Sequence, residues 1–195
     1  MDAQPIFFQD KNFILASQSP RRRQLIQALG LKVTCIGLDV NEDYPAKLKG
    51  RDVPIYLCQK KALGYSTPLP ENTILITADT VVSIDDLVLN KPNDRDDALK
   101  MLGILSNRKH TVFTGVCLRS AHKIHTFCQA TDVYFKALSP DEITYYVDNY
   151  QPYDKAGSYG VQEWIGYIGI EKIEGSFYNV MGLPVKELFE QLMGF

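Results

Sequence analysis

The sequence predicts an α/β domain with a mixed β-sheet, and three patterns lead to this expectation. Apolar runs typical of buried strands alternate with segments whose apolar residues recur at helical spacing. A strand–turn–helix unit is expected at 13–30. Two long predicted strands, at 111–118 and 124–135, flank a short turn and so indicate a hairpin. Interleaved strands and helices that include a hairpin favour a mixed sheet.

The N-terminal unit begins with the apolar run FILA at 13–16, which is typical of a short buried strand. Ser19 is suited to cap the helix that follows, and Pro20 suits the first helical position. Gly30 is a residue type that commonly ends a helix. The pattern therefore predicts a helix between Ser19 and Gly30.

The rest of the chain continues the alternation. The run TILITA at 73–78 predicts a buried strand with Asp79 at its carboxyl end, and Asp85 and Asp86 mark a hairpin turn. Ser139 and Glu142 have the spacing of a capping box. Further strands are expected at 31–38 and 165–173, and further helices at 52–64, 94–105, 139–149 and 184–193.

Composition narrows the class of protein. The chain has 195 residues, 45% of them hydrophobic, which fits a single domain over 1–195. A formal net charge of -2 lacks the basic excess that long nucleic acids usually require, so a nucleic-acid-binding domain is a remote alternative. Four cysteines without a CxxC pair, no signal-peptide pattern and no apolar run of about 20 residues predict a cytoplasmic protein that does not enter a membrane.

The run Arg21, Arg22 and Arg23 stands in the first turn of a predicted helix, where the helix dipole is already positive. Cations are unfavourable there by about 0.3–1 kcal/mol each. A strand–turn–helix unit with Ser17 in its turn is also a common anion-binding arrangement, and arginine matches phosphate oxygens. Solvated arginines and an anion site are both consistent with this pattern.

Other polar residues are weaker signals when taken singly. Asp79 could bind a cation or activate water, although a lone Asp in this position more often caps a turn. Lys61, Lys91 and Lys155 are each typical of surface lysines. The amide of Gln162 offers a donor and an acceptor, which suits the edge of a base.

Taken together, these residues lie in a series of motifs that resembles one family. The motifs, in chain order, are LASQSPRRRQLIQALGL (15–31), Glu42, the pair Lys61-Ala62, TADTVV (77–82), NKP (90–92), an AxxMLxxLS run (98–106), HTVFTGV (110–116), DKAGSYGVQ (154–162) and IEGSFYNVMGLP (173–184). Their order and spacing resemble Maf-like proteins over most of the chain. Lys60 departs from the pattern, since many relatives have Glu there, and Tyr153 replaces a smaller residue.

The resemblance implies a fold and a reaction. The expected fold is an elongated mixed sheet flanked by helices, with two lobes and a central cleft, like that of the house-cleaning (ITPase-like) nucleotide pyrophosphatases. The expected reaction cleaves a nucleoside triphosphate between the α and β phosphates and requires Mg²⁺ or Mn²⁺. Asp79 matches the family's proton acceptor, and Glu42 would share the metal with it. A homodimer is also expected.

The resemblance further assigns substrate contacts. Those expected at the phosphates are Ser17, Arg21, Arg22, Lys61, Lys91 and Lys155. Arg21, Thr80 and Gln162 match the subgroup that is similar to dTTP/UTP pyrophosphatases, with modified pyrimidine nucleotides as further expected substrates. The alternatives are a 7-methyl-GTP or broad-specificity pyrophosphatase, and a nucleotide-binding regulator of septum formation whose catalysis is not essential.

Overall fold

A seven-stranded mixed sheet lies at the centre of the computed structural model, which describes residues 4–195. The strands are β1 (Asn12–Ala16), β2 (Val33–Ile36), β3 (Thr73–Ile84), β4 (Leu87–Leu89), β5 (Lys109–Arg119), β6 (Ile124–Phe135) and β7 (Ile170–Glu174). The order across the sheet is β2-β1-β3-β5-β6-β7, and β4 pairs with β3. β1 runs parallel to β2 and β3, whereas the other pairs are antiparallel. The predicted α/β class with a mixed sheet is confirmed.

Helices pack against this sheet. They are α1 (Pro20–Ala28), α2 (Asp52–Gly64), α3 (Arg95–Leu105), α4 (Pro140–Tyr150), α5 (Trp164–Gly169), α6 (Phe177–Met181) and α7 (Val185–Met193). Of these, α1, α2, α3, α4 and α7 lie close to the positions expected, whereas α5 and α6 were not expected. The Ser19 side chain caps α1 by accepting the N–H of Arg22, and Ser139 and Glu142 form the predicted capping box. Among the described residues, no helix combines the length and apolar character needed to cross a bilayer.

Two expectations about strand boundaries are wrong. Asp79 does not end a strand, because β3 continues through it to Ile84 and pairs with β5 along this whole stretch. The stretch 165–173 is only partly a strand, since α5 occupies its first half and β7 begins at Ile170. A Cβ on Gly166 would lie 2.1 Å from the Val161 carbonyl oxygen, so glycine permits the tight helical turn there.

The middle of β3 has a strand on one side only. β1 pairs with β3 as far as Ile76, and β4 begins to pair at Val82. Between these points, at 77–81, the described residues place β5 on one side and no strand on the other. An unpaired strand edge leaves backbone groups that need other partners. Asp79 and Thr80 lie in this gap.

The same gap separates two hydrophobic cores. Ile74, Ile76 and Ala78 pack into one core with α1 and α7, while Val82 and Ile84 pack into the other with α3 and α4. α2 lies close against β5, where a Cβ on Gly115 would be 2.4 Å from the Pro54 carbonyl oxygen. The close approach of α2 brings its last turn, with Lys61, towards the gap.

Candidate active site

A cavity of about 560 Å³ opens at the gap in β3. It lies at the carboxyl end of β1, beside the N-terminus of α1, and the 154–162 loop and the 180–182 segment complete its wall. Its volume is within the range of small-molecule sites. Every site residue expected from the sequence lines it: Ser17, Arg21, Arg22, Glu42, Lys61, Asp79, Thr80, Lys91, Lys155 and Gln162.

Opposite charges form a chain at the centre of the cavity. The Lys61 Nζ, at the end of α2, lies 2.5 Å from Asp79 Oδ1 and 2.8 Å from Glu42 Oε1. Lys91, in the turn after β4, lies 2.9 Å from the other oxygen of Glu42. Asp79 is 7% exposed, and a carboxylate this buried needs a charged or hydrogen-bonding partner, which Lys61 supplies. Lys61 therefore links the two carboxylates expected to act in catalysis.

The Glu42 carboxyl is held as an anion by this arrangement. Partial burial by itself would raise the pKa of Glu42, but the hydrogen bonds and charges of Lys61 and Lys91 outweigh it and lower the pKa to about 2. Glu42 is consequently negative at neutral pH. It can exchange its lysine partners for a metal cation without first losing a proton.

Arg22 is buried against the open edge of β3. Its Nη1 donates to the Ala78 carbonyl at 2.9 Å and its Nη2 to the Thr80 hydroxyl at 2.8 Å. Its Nε donates to the Gly182 carbonyl at 2.7 Å. Burial lowers the pKa of Arg22, and the charge of Asp79 opposes this effect. Arg22 thus contacts the residues on either side of Asp79 and keeps part of its donor capacity for a ligand.

A second group of charges lies on the opposite wall. Arg21 Nη1 and Lys155 Nζ each lie 2.7 Å from an oxygen of Asp154. Lys155 also lies 3.1 Å from Glu163, whose carboxylate accepts a hydrogen bond from the Tyr146 hydroxyl. Sequence reasoning missed Asp154 and Glu163 as parts of the site. The sequence did contain a signal for Asp154, because this residue begins the DKAG run.

The remaining two expected residues, Ser17 and Gln162, differ in whether their side chains have a hydrogen-bond partner. The Ser17 hydroxyl accepts the N–H of Ser19 at 3.2 Å, so it shapes the turn before α1. The Gln162 Oε1 is buried at the cavity without a hydrogen-bond partner among the described residues. A buried acceptor without a partner is costly, and a ligand donor would remove that cost.

The carboxylates of Glu42 and Asp79 could supply part of the ligand set of a divalent metal. Mg²⁺ is usually bound through one or two carboxylates, with substrate phosphates and water as its other ligands. Glu42 and Asp79 supply two carboxylates joined through one ammonium group. Within residues 4–195 no cluster of three or more His, Cys, Asp or Glu forms a complete metal cage. The donor set therefore fits a metal that arrives with phosphate ligands.

Comparison with known proteins identifies the family. The model of the family described as Maf-like protein matches residues 12–195. The chain belongs to the Maf-like family. A relative from Bacteroides thetaiotaomicron named dTTP/UTP pyrophosphatase is 52% identical over 92% of this chain and 93% of its own length. Another Maf-like relative, from Porphyromonas gingivalis and with the same name, is 50% identical over 93% of each chain.

Solved structures are more distant from this Maf-like chain. A nucleoside-triphosphatase/dITP/XTP pyrophosphatase from Mycobacterium abscessus covers 94% of this chain and 97% of its own, with 12% identity and a TM-score of 0.44. The Ham1 protein of Staphylococcus aureus covers 64% of this chain and 72% of its own, with 12% identity and a TM-score of 0.42.

Proposed function

We propose that this protein is a nucleoside triphosphate pyrophosphatase that hydrolyses dTTP and UTP to the monophosphate and pyrophosphate. The observation that supports this most directly is the convergence of Asp79 with Lys61, Glu42 and Lys91 at one cavity. The Maf-like relatives named dTTP/UTP pyrophosphatase match nearly the whole chain, which supports the choice of substrate.

The cations of the cavity would bind the triphosphate chain. Transfer of phosphoryl groups depends mainly on positioning and on neutralising charge. In the ligand-free chain, Lys61, Lys91 and Lys155 are each neutralised by a carboxylate of the protein. Phosphate oxygens would take over from those carboxylates as partners. Arg21 would bind the substrate from the first turn of α1, where the helix dipole adds to its charge.

Asp79 would accept the proton of the attacking water. As the water oxygen bonds to phosphorus, the P–O bond between the α and β phosphates breaks and pyrophosphate leaves with the bonding electrons. The carboxylate is suited to this role because Lys61 holds it through an ion pair and Arg22 contacts the residues on both sides of it.

Glu42 and Asp79 would also hold a divalent cation, Mg²⁺ or Mn²⁺. This group supplies charge neutralisation at the phosphates and lowers the pKa of bound water. Lys61 would then shift from the two carboxylates towards phosphate oxygens, because one ammonium cannot compete with a divalent cation for both carboxylates.

The base would be recognised at Gln162, Thr80 and Arg21. The unpartnered Oε1 of Gln162 can accept a hydrogen bond while the amide nitrogen donates one, which matches the imide edge of uracil or thymine. A neutral amide suits an uncharged pyrimidine, whereas the positive charge of 7-methylguanine would favour a carboxylate. This chain has the amide, so dTTP and UTP are the favoured substrates.

A substrate panel tests the proposal. Purified protein is incubated with Mg²⁺ or Mn²⁺ and dTTP, UTP, 7-methyl-GTP, dCTP, dATP or dGTP, and pyrophosphate and monophosphate are measured. We expect both products from dTTP and UTP. The Asp79→Asn variant should lose about 10²–10⁴-fold in kcat, because it lacks the proton acceptor.

The control is Asp86→Asn, which removes an exposed carboxylate at the hairpin that ends β3. It should retain the activity of the unsubstituted protein. Turnover of 7-methyl-GTP in place of dTTP would overturn the substrate assignment but keep the reaction. Tight binding of a nucleotide without any turnover would favour the regulator over the enzyme.

A further inference from the structure

A continuous chain of hydrogen bonds runs from the cavity, where the bonds are partly buried, into the protein interior. Arg22 Nη2 donates to Thr80 Oγ1 at 2.8 Å, and Thr80 Oγ1 lies 3.0 Å from Thr114 Oγ1. Thr114 Oγ1 in turn lies 3.0 Å from the Asn179 carbonyl oxygen. Thr80 and Thr114 are direct partners on β3 and β5, and Thr114 and Asn179 are 0% exposed.

The far end of this chain is fixed in place. The Asn179 side chain donates from Nδ2 to the Val112 carbonyl at 3.1 Å and to the Thr131 hydroxyl at 3.0 Å. Its backbone carbonyl also accepts the N–H of Gly182 at 3.0 Å. The Asn179 carbonyl is therefore anchored by α6 and by two strands, and it can act only as an acceptor.

Counting hydrogens gives a direction to every bond in the chain. A carbonyl cannot donate, so the single hydroxyl hydrogen of Thr114 points to Asn179. Thr114 must then accept from Thr80, which uses the single hydroxyl hydrogen of Thr80. Arg22 occupies one lone pair of Thr80, because a guanidinium can only donate. What Thr80 can still offer to the cavity is one acceptor lone pair.

We propose that Thr114 is a positioning residue for substrate choice, because it directs the Thr80 hydroxyl hydrogen away from the cavity. Thr80 then accepts hydrogen bonds from a ligand and does not donate to it. The N3 atom of uracil and thymine carries a hydrogen, whereas N3 of cytosine is an acceptor. A Thr80 that only accepts and that faces N3, whose hydrogen it would share with Gln162 Oε1, thus favours the first two bases over cytosine.

This inference rests on the proposed function for its ligand, and it extends that function to a residue outside the cavity wall. Thr114 does not line the cavity, so it would act through Thr80. Replacing Thr114 by valine keeps the shape of the side chain and removes its oxygen. The Thr80 hydroxyl could then rotate and donate into the cavity, and the Asn179 carbonyl would keep its bond from Gly182.

The experiment compares discrimination between dTTP and dCTP in the unsubstituted protein and in Thr114→Val and Thr114→Ser. Discrimination is measured as the ratio of kcat/KM values with Mg²⁺, and as the ratio of Kd values without a divalent cation. We expect Thr114→Val to reduce the preference for dTTP about fivefold to tenfold in both ratios, which is the effect of one hydrogen bond. The change should come from a higher kcat/KM and a lower Kd for dCTP. Thr114→Ser should restore the original ratios, because it keeps the hydroxyl.

The matched control is Thr111→Val, which removes a hydroxyl from the same strand where it bonds Asp132 away from the cavity. It should leave both ratios unchanged. Unaltered ratios in Thr114→Val, or equal changes in both valine variants, would overturn the inference. So would a parent protein that binds dTTP and dCTP equally. If no nucleotide is hydrolysed, the proposed function fails, and the Kd ratios still decide the role of Thr114.

Discussion

Two buried polar regions, on the neighbouring strands β3 and β5, differ in whether their side chains form ion pairs or remain neutral. In the cavity, Asp79 on β3 forms an ion pair with Lys61 at 2.5 Å, and Lys61 and Lys91 form further ion pairs with Glu42. In the core around β5, His110 is 1% exposed and contacts the Tyr159 hydroxyl at 2.7 Å, packed between aromatic rings. Burial lowers the pKa of His110 to about 4 and raises the pKa of Tyr159, so both stay neutral.

The difference shows that burial alone does not make a site. Within residues 4–195 the Nδ1 of His110 lacks a hydrogen-bond partner, and the charge of Asp132 only partly opposes the effect of burial on the pKa of His110. Asp79 is nearly as buried but faces an open cavity and a cation. We therefore expect substitutions in the cavity to lower activity more than stability, and substitutions in the core to do the opposite.

After Asp79→Asn, the largest expected effect is that of Lys61→Gln. Asp79 and Glu42 lose their shared cation, and the phosphates lose a donor, so kcat/KM should fall about 10²–10³-fold. The free energy of unfolding should fall by less than the about 3–5 kcal/mol typical of a broken buried ion pair, because Asp79 faces the cavity. Activity assays and urea unfolding measure the two quantities.

The adjacent Lys60 provides the control. Its Nζ donates to the Asp43 carbonyl near the surface, outside the cavity wall. Lys60→Gln should retain activity. Equal losses in the two variants would show that the lysines act through general charge and not through contact with Asp79.

A smaller effect, on stability alone, is expected for Leu102→Ala. Leu102 on α3 is 0% exposed in the core beyond the gap in β3, and truncation should lower the free energy of unfolding by about 2–5 kcal/mol. The kcat of the folded variant should be unchanged. Leu63→Ala, at a leucine that is 65% exposed, is the control and should change stability little. A large fall in kcat for Leu102→Ala would mean that this core is coupled to the cavity.

The smallest of these effects is a pH dependence due to His110. In the unfolded chain His110 binds a proton near its ordinary pKa of 6.5, whereas in the folded chain it does so only near 4. Its contribution to stability is therefore complete above pH 6.5 and is lost as the pH falls towards 4, by up to about 3 kcal/mol. His110→Gln should flatten the decline of the unfolding free energy over this window.

The exposed His122, beside Glu71 at the surface, is the matched control for this experiment. His122→Gln should keep the decline between pH 6.5 and 4. A decline in His110→Gln that runs parallel to that of the unsubstituted protein would assign the effect to other groups.

Local sequence patterns predicted much of the fold. The caps of α1 and α4 were predicted correctly, because capping joins groups only three residues apart. The ends of α2 were also predicted correctly. The same patterns were wrong about Asp79 as a strand end. Whether a strand continues through a carboxylate depends on its partner, and β5 pairs with β3 throughout this stretch.

The sequence by itself also determined the family and the set of residues around the cavity, because short motifs in a fixed order along the chain identify both. The tertiary structure alone decided how those residues are used. Arg22 binds Gly182, 160 residues away, and Thr80 meets Thr114 across two strands. Hydrogen bonds between such distant residues depend on where the sheet brings them, and no spacing along the chain encodes which donor meets which acceptor.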